Sequence, residues 1–264
     1  MLDKNFLENW RKKNSIPLSP RRNLTEYLQS EILFALQNSK YGQMLTFMGG
    51  TCLRFVYKID RFSEDLDFEF VGNENIDYSD LAKFFEKELG NIGFSVDTRV
   101  KEAENIIIIF VKFSALLKEA GLSDMENQKL KIKFEIDPNP PKAINYDSEL
   151  ISSYGRTFNI LANSLSTLFA QKILAIVFRP FQKGRDFYDL VWFLSQKEME
   201  PNYKLLQEKG IEVGSREELI DFLQKKAGES DLKQAAKDVE RFLFYPEQAQ
   251  WILKLPKYLE SFRK

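Results

Sequence analysis

The apolar residues of this 264-residue chain follow one period before about residue 160 and another after it. Stretches of the first part, such as EDLDFEF (64–70) and KLKIKFEID (129–137), alternate apolar with charged residues, as strands with two unlike faces do. Stretches of the second part, such as STLFAQKILAIVF and REELIDFLQKKA, have the spacing of amphipathic helices. The change predicts an α+β fold, with a mixed-sheet domain and N-terminal helices over residues 1–160 and an α-helical domain over residues 161–264.

Local signals divide the first part into elements. The spacing predicts a helix over residues 24–37 capped by Asn23, a strand over 44–48 and, after a Gly-Gly pair, a short helix capped by Thr51. The remaining predicted elements are a helix over 80–89 and strands near 94–98, 105–113 and 129–137. The prolines of the PNPP segment that follows break helices and strands, so we expect the sheet to end there.

The chain contains no histidine, and this excludes several kinds of enzyme. Ser-His-Asp and Cys-His relays and histidine general bases cannot be built. The single cysteine, Cys52, cannot form an intramolecular disulfide or, without histidine, a zinc site of the usual type. Catalysis would therefore fall to carboxylates and lysines, and carboxylate clusters suit Mg²⁺ or Mn²⁺, which usually serve phosphate chemistry.

The charge balance predicts no global attraction to polyanions. Lys and Arg number 38 against 39 Asp and Glu, for a formal net charge of -1. The N-terminal stretch MLDKNFLENWRKKNSIPLSP has no apolar signal core, and the chain has no run of about 18 apolar residues. We therefore expect a cytoplasmic protein with no membrane partner.

Local basic residues have two interpretations. Those at 11–13, at 21–22 and along 129–133 either form solvated surface or contact the phosphates of a nucleic acid. Arg54 and Arg61 either pair with Glu64 or reach a phosphate.

The predicted strand EDLDFEF (64–70), which we call the acidic strand, places several carboxylates close together. On a strand, Asp65, Asp67 and Glu69 lie on one face while the apolar residues between them pack inward. Two carboxylates about 4 Å apart repel by roughly 4 kcal/mol at an effective dielectric of about 20, a cost that a bound cation offsets. The alternative is the solvated face of an edge strand, where acids discourage aggregation.

A later strand offers a third carboxylate. In KLKIKFEID, Glu135 and Asp137 share one face, and either would join the acidic strand if the two strands were neighbours. Two metal ions held by such acids activate a hydroxyl and stabilise leaving pyrophosphate. We take Asp137 as the metal ligand, with Glu135 as the open alternative.

The motifs together resemble a known family. GGT at 49–51 followed by DLD at 65–67, with a later strand carboxylate, resembles the DNA polymerase β-like nucleotidyltransferase superfamily. MGGTCLRFVY and RFSEDLDF, together with QKILAIVFRPFQKGRDFYDL downstream, resemble more narrowly the AbiEii/AbiGii-type nucleotidyltransferase toxins of abortive-infection and toxin-antitoxin systems. The match runs over about residues 45–195, with Thr51 where the superfamily commonly has Ser.

The resemblance implies roles for particular residues. The polymerase-β-like sheet domain would bind nucleotide and metal through Gly49, Gly50, Thr51, Asp65 and Asp67, and Lys172, Asp186 and Asp189 are motif positions in the second half. We expect Asp65, Asp67, Asp137 and Lys172 to be catalytic, and Lys172, Asp186 and Asp189 to contact the nucleotide.

The three residues of the second half also have structural interpretations. Lys172 lies in an apolar helix, where a lysine either extends to solvent or reaches an anion. Asp186 and Asp189 share a helix face and either pair with Arg185 and nearby lysines or orient Lys172 or a substrate hydroxyl.

The sequence thus predicts a Mg²⁺- or Mn²⁺-dependent nucleotidyltransferase that moves an NMP from an NTP to an acceptor hydroxyl. By resemblance, the acceptor is a tRNA 3′ end or a protein, and a cognate antitoxin restrains the toxin. The alternative is a nucleotide-binding regulator or partner-binding module without turnover on the same fold. A purely structural interaction protein would leave the paired acids unexplained.

Overall fold

The computed structural model describes residues 4–13, 17–125 and 128–262. The chain forms two compact units. The first unit comprises the residues up to Lys58 together with 62–140 and 147–162. The second comprises 59–61, 141–146 and the residues from Asn163 onward. Among the described residues, no helix is both long enough and apolar enough to cross a membrane.

One mixed sheet dominates the first unit. In the described part of the chain it has seven strands: Leu45–Met48 (β1), Leu66–Phe70 (β2), Val96–Ala103 (β3), Ile106–Phe113 (β4), Leu130–Asp137 (β5), Tyr146–Ser153 (β6) and Arg156–Asn163 (β7). Their order is β3-β4-β5-β2-β1-β7-β6. Strand β2 runs antiparallel to β1 and parallel to β5. The acidic strand is therefore the middle strand of the sheet, and its interpretation as an edge strand is wrong.

The sequence predicts that the sheet ends at the PNPP segment, and this prediction is wrong. Strands β6 and β7 follow the segment and extend the sheet beyond β1, where Phe47 pairs in parallel with Ala162. The two strands are joined by Tyr154 and Gly155, both with positive φ (48° and 78°). Two successive residues in this left-handed region make the tight turn that suits the twist of a hairpin.

Aromatic side chains fill one face of the sheet. The ring of Phe68 stacks on Phe47 of β1 and on Phe134 of β5, with centroids 5.1 Å and 4.5 Å away. Phe85 packs against Phe134 from outside the sheet, on a helix. These rings are buried, so the alternate residues of β2 and β5 are directed to the opposite face of the sheet.

The helices of the first unit are Lys4–Lys13 (α1), Pro20–Gln37 (α2), Gly49–Phe55 (α3), Tyr78–Asn91 (α4) and Leu116–Glu119 (α5). Helix α2 begins before its predicted start, because Pro20 suits the first helical position and the side chain of Ser19 accepts the amide of Arg22. Asn23 is thus not the cap. Its side-chain oxygen accepts a hydrogen bond from the hydroxyl of Tyr154 at 2.8 Å.

The second unit is helical, as predicted. Its helices are Leu165–Phe178 (α6), Gly184–Ser195 (α7), Tyr203–Glu208 (α8), Arg216–Gly228 (α9), Leu232–Glu240 (α10), Gln250–Leu253 (α11) and Leu255–Ser261 (α12), with a 3₁₀ turn at Pro246–Ala249. Helix α8 was not predicted. The rings of Phe169 and Phe193 stack between α6 and α7, with centroids 4.7 Å apart. Helix α6 is capped by the side chain of Ser164, which accepts the amide of Thr167.

Candidate active site

The glycine turn after β1 is shaped around a carboxylate. Gly49 has a φ of +76°, and a Cβ placed on it would overlap Oδ2 of Asp67. A side chain here would be strained by its backbone and would displace the carboxylate. Helix α3 begins at Gly49 with Met48 as its N-terminal cap residue, and no side chain caps its first amides.

The sequence predicts that Thr51 caps helix α3, and this prediction is wrong. The helix starts two residues earlier, which leaves Thr51 inside its first turn. The Thr51 side chain is buried, and its hydroxyl donates to the backbone carbonyl oxygen of Asp65. The hydroxyl therefore holds the start of α3 against the residue that opens the acidic segment.

The acids in β2 and directly before it follow the predicted alternation only in part. Leu66 and Phe68 are buried while Asp65 and Asp67 are partly exposed, as expected. Glu69 is buried, however, and Phe70 is partly exposed. The segment that faces solvent is therefore shorter than the alternation predicted, and it contains Asp65 and Asp67.

The register of β2 with β5 brings acids from two strands together. Asp67 pairs with Glu135, and Glu69 pairs with Asp137. Paired residues on neighbouring strands point to the same side of a sheet. Asp65, Asp67 and Glu135 form what we call the acid face, and Asp137 lies one pair further along, where its carboxylate accepts the amide of Asn139.

A lysine of β5, the strand that carries Glu135, neutralises part of the acid face. Lys133 donates from Nζ to Oε1 of Glu135 at 2.8 Å. The hydrogen bond to Glu135 raises the pKa of Lys133, with further contributions from Asp65 and Asp67, although partial burial opposes them. The ammonium group thus shows where the acid face accepts positive charge.

The second-half motif residues meet in a buried group of charges. Lys172 on α6 donates to Asp186 at 3.0 Å and lies 2.9 Å from Oδ2 of Asp189, both on α7. Arg61 holds Asp189 through two hydrogen bonds of 2.6 Å and 2.7 Å, and Arg179 donates to Asp186. We call these five residues the ionic cluster.

Burial and pairing act in opposite directions on the ionic cluster. Burial opposes ionisation of Asp189, yet the pairs with Arg61 and Lys172 outweigh it and hold the pKa of Asp189 below its ordinary value. Burial likewise lowers the pKa of Arg61, but Asp189 raises it above its ordinary value. Both groups are therefore charged in the folded protein.

The contacts in the structure decide between the alternative interpretations that the sequence left open for Lys172, Arg61 and Arg54. The side chain of Lys172 is 9% exposed and bonded to two carboxylates, so it does not extend to solvent. Arg61 pairs with Asp189, which was neither of the two partners considered for it from the sequence. Arg54 pairs with Glu26 on α2, at 3.1 Å.

Sequence reasoning missed some of these contacts. Arg61 and Asp189 are separated by 128 positions, and no periodic pattern relates residues so far apart. A signal was present at Arg179 and Lys133, which stand close in sequence to acids already singled out. No group of three or more Asp, Glu or Cys in the described residues is arranged to hold a metal ion by itself.

Comparison with protein families decides the affiliation. The model of the family described as nucleotidyl transferase AbiEii toxin, type IV TA system, matches residues 31–255. The chain belongs to this family. It is thus a nucleotidyltransferase of the toxin-antitoxin class, and the resemblance seen in the motifs is confirmed. Nucleotidyltransferases of this kind use NTP substrates and divalent metals.

Solved structures agree on the fold. JHP933 from Helicobacter pylori superposes with a TM-score of 0.60 at 19% identity, covering 92% of each chain. MenT4, the nucleotidyltransferase toxin Rv2826c from Mycobacterium tuberculosis, superposes with a TM-score of 0.57 at 16% identity, covering 98% of this chain and 89% of that one. The predicted α+β fold, a mixed-sheet domain followed by helices, is therefore confirmed. No curated protein sequence matches the chain.

Proposed function

We propose that this AbiEii family member transfers an NMP from an NTP to an acceptor hydroxyl, with release of pyrophosphate and dependence on Mg²⁺ or Mn²⁺. The observation that carries the proposal is the pairing of Asp67 with Glu135 on the two central strands, with Asp65 two residues before Asp67. Like charges at this spacing are costly in a protein unless a cation balances them. Lys133 balances part of that charge, and a divalent cation fits the remainder, with the triphosphate as a further ligand of that cation.

The donor set fits a hard divalent ion. Carboxylate oxygens are the ligands of Mg²⁺, which is usually held by one or two carboxylates together with substrate phosphates, so three preassembled acids are not required. When bound, the ion would stabilise the charge of the transferred phosphoryl group. Asp65 and Asp67 are the proposed ligands. As third carboxylate we favour Glu135 over Asp137, because Glu135 pairs with Asp67 and Asp137 caps the turn at Asn139.

The chain's own residues supply binding and proton transfer. The turn of Gly49, Gly50 and Thr51 packs against Asp67 and presents backbone amides without a side-chain cap, which suits the phosphates of the NTP. With no histidine in the chain, a carboxylate of the acid face would accept the proton of the acceptor hydroxyl.

We also assign nucleotide contacts to the ionic cluster. Asp186 and Asp189 each accept a bond from Lys172 and fix the position of its ammonium group. A lysine held in this way is a point charge suited to a phosphate. Lys172 is proposed to contact the NTP, and the two aspartates to position Lys172.

The acceptor is proposed to be a tRNA 3′ end or a protein hydroxyl. The family description names a toxin-antitoxin system, which supports a cognate antitoxin that relieves growth inhibition.

Label transfer tests the proposal. Purified protein would be incubated with Mg²⁺ and each α-³²P NTP, with total RNA in one set and RNA-free protein extract in another. We expect label in one macromolecular class with the wild type, with loss in EDTA and in Asp67→Asn, and with retention in Glu104→Gln, whose side chain is exposed on the β3–β4 turn. NTP binding without transfer in every set would instead favour the non-catalytic nucleotide-binding protein.

A further inference from the structure

The last residue of α6 and the segment that joins it to α7 expose two phenylalanine rings. Phe178 is 58% exposed and Phe181 is 81% exposed. In the part of the chain that the structure describes, they are the only phenylalanines among the exposed large apolar residues. Phenylalanine is usually buried, so two exposed rings three residues apart mark a contact surface.

Cations accompany the two rings. Arg179 and Lys183 lie in the same segment, residues 178–183, which we call the basic aromatic loop, and Arg185 follows it. The nearby acid, Asp186, is buried and bonded to Lys172 and Arg179. Asp186 thus already balances Arg179, and the positive charge that the loop presents outward comes from the exposed Lys183, with the partly exposed Arg185 beside it.

A cleft continues the basic surface beyond the loop. It has a volume of about 310 Å³, and Lys183, Arg185 and Arg241 line it. The guanidinium groups of Arg185 and Arg241 lie over the ring of Phe242, 4.3 Å and 4.7 Å from its centroid. The cleft also holds two carboxylates: Asp231 accepts the amide of Gln234, and Asp238 accepts the amide of Gly184 and pairs with Arg241 at 3.5 Å.

The loop is held in place at both ends. Arg179 donates to Asp186 at the start of α7, and Gln182 donates to the hydroxyl of Ser230 at 2.9 Å. A loop fixed before binding loses less conformational entropy when a ligand arrives. The loop that carries the rings is therefore already ordered before a ligand binds.

We propose that the basic aromatic loop binds unpaired nucleotides of a single-stranded RNA segment, stacking bases on Phe178 and Phe181 and holding phosphates with the adjacent cations. Exposed aromatic faces and nearby cations are the combination that binds single strands, since bases inside a duplex cannot stack on a protein ring. An acidic peptide would use the cations and leave the rings without a partner. The loop is tied to Asp186 and thereby to Lys172, so the inference rests on the proposed function and selects RNA as its acceptor class.

Binding of a fluorescent, unstructured 12-nucleotide RNA, measured by anisotropy, tests the site. We expect Phe178→Ala/Phe181→Ala to raise the Kd by roughly 10-fold or more and Phe181→Trp to keep the wild-type Kd, because tryptophan also stacks. The matched control is Tyr245→Ala, which removes an exposed aromatic elsewhere in the second unit and should leave the Kd unchanged. Circular dichroism and Tm would show that each variant is folded.

Other outcomes would overturn the inference. Equal affinity of wild type and the double variant, equal binding of a blunt RNA duplex that has no loop, or no RNA binding by wild type would each do so. Phe-dependent binding to phosphatidylcholine/phosphatidylserine vesicles without RNA binding would assign the loop to a membrane surface instead.

The two proposals fail separately. RNA binding that needs the phenylalanines, without NMP transfer by any NTP, would leave the loop assignment standing and overturn the transferase. Transfer to RNA at the wild-type rate and KM by the double variant would do the reverse.

Discussion

The two units treat their acidic residues in opposite ways. On the acid face, Asp67 has another carboxylate, Glu135, as its neighbour across the register, and Asp65, Asp67 and Glu135 are all partly exposed. In the ionic cluster, Asp186 and Asp189 are buried and each accepts from two cationic side chains. The contrast separates charge kept for a ligand from charge balanced within the protein. Substitutions should therefore reduce activity with little change in stability at the acid face, and reduce stability together with activity in the ionic cluster.

The largest effect is expected for Arg61→Met. Asp189 would lose its two-point partner while staying buried, and breaking a buried pair in this way costs about 3–5 kcal/mol of unfolding free energy. Arg216→Met is the matched control, because Arg216 and its partner Glu200 are 38% and 39% exposed, and such pairs contribute about 1 kcal/mol or less. Urea unfolding measures both. Equal losses in the two variants would break the comparison.

Asp67→Asn should lose a similar amount of free energy, but in the catalysed transfer step rather than in folding. Removing one carboxylate from the acid face should lower the transfer rate by roughly 100- to 1,000-fold, about 3–4 kcal/mol of transition-state stabilisation. The unfolding free energy should change by less than about 1 kcal/mol, because the side chain is partly exposed. Single-turnover kinetics and urea unfolding test the two halves. A destabilised Asp67→Asn would place Asp67 with the ionic cluster instead.

Gly49→Ala should lose less stability than Arg61→Met and less activity than Asp67→Asn. A Cβ at the positive φ of Gly49 costs about 1–2 kcal/mol and overlaps the Asp67 carboxylate, which would move. Gly90→Ala on α4 is the control of opposite sign, since nothing lies within 4 Å of its added Cβ and alanine favours a helix by about 1 kcal/mol. Unfolding and transfer assays on both variants would show whether the turn shapes the acid face.

The smallest effects are expected in the acid dependence of stability. The pKa of Asp189 is lower in the folded protein than in the unfolded chain, so its contribution is present above the unfolded value of about 3.9 and disappears as pH falls through the folded value. Asp189→Asn should therefore flatten the loss of stability below about pH 4. Asp97 also has a lowered pKa, through its bond from Lys129, but its side chain is 44% exposed. Asp97→Asn should leave the acid limb nearly unchanged in pH-dependent urea unfolding.

Much of the fold was predictable because its signals are local. The alternation of KLKIKFEID and the helical spacing after Ser164 both state which face is buried, and the strand and helices formed there. Strand β6 escaped prediction because its first residues, Tyr146 to Glu149, are exposed or partly so and show no apolar alternation. A signal existed at Tyr154-Gly155, where a glycine in a two-residue turn marks a hairpin.

The candidate site was predictable in composition and less so in arrangement. Asp65 and Asp67 stand out in the sequence, but choosing between Glu135 and Asp137 needs the register of β2 with β5, which depends on packing across the sheet. The partner of Arg61 likewise lies on an element that no nearby residue indicates. Long-range pairing is set by the tertiary fold, and local patterns carry little information about it.

The parallel pairing of β2 with β5 has a consequence for synthesis. The strand that carries Asp67 reaches its neighbour only after β3, β4 and two helices have been made, and pairs this distant in sequence form late in folding. A growing chain exposes Asp65 and Asp67 well before Glu135 leaves the ribosome. The acid face is therefore assembled only after most of the first unit has been translated, so an incomplete chain of this toxin carries the aspartates without the strand that completes their site.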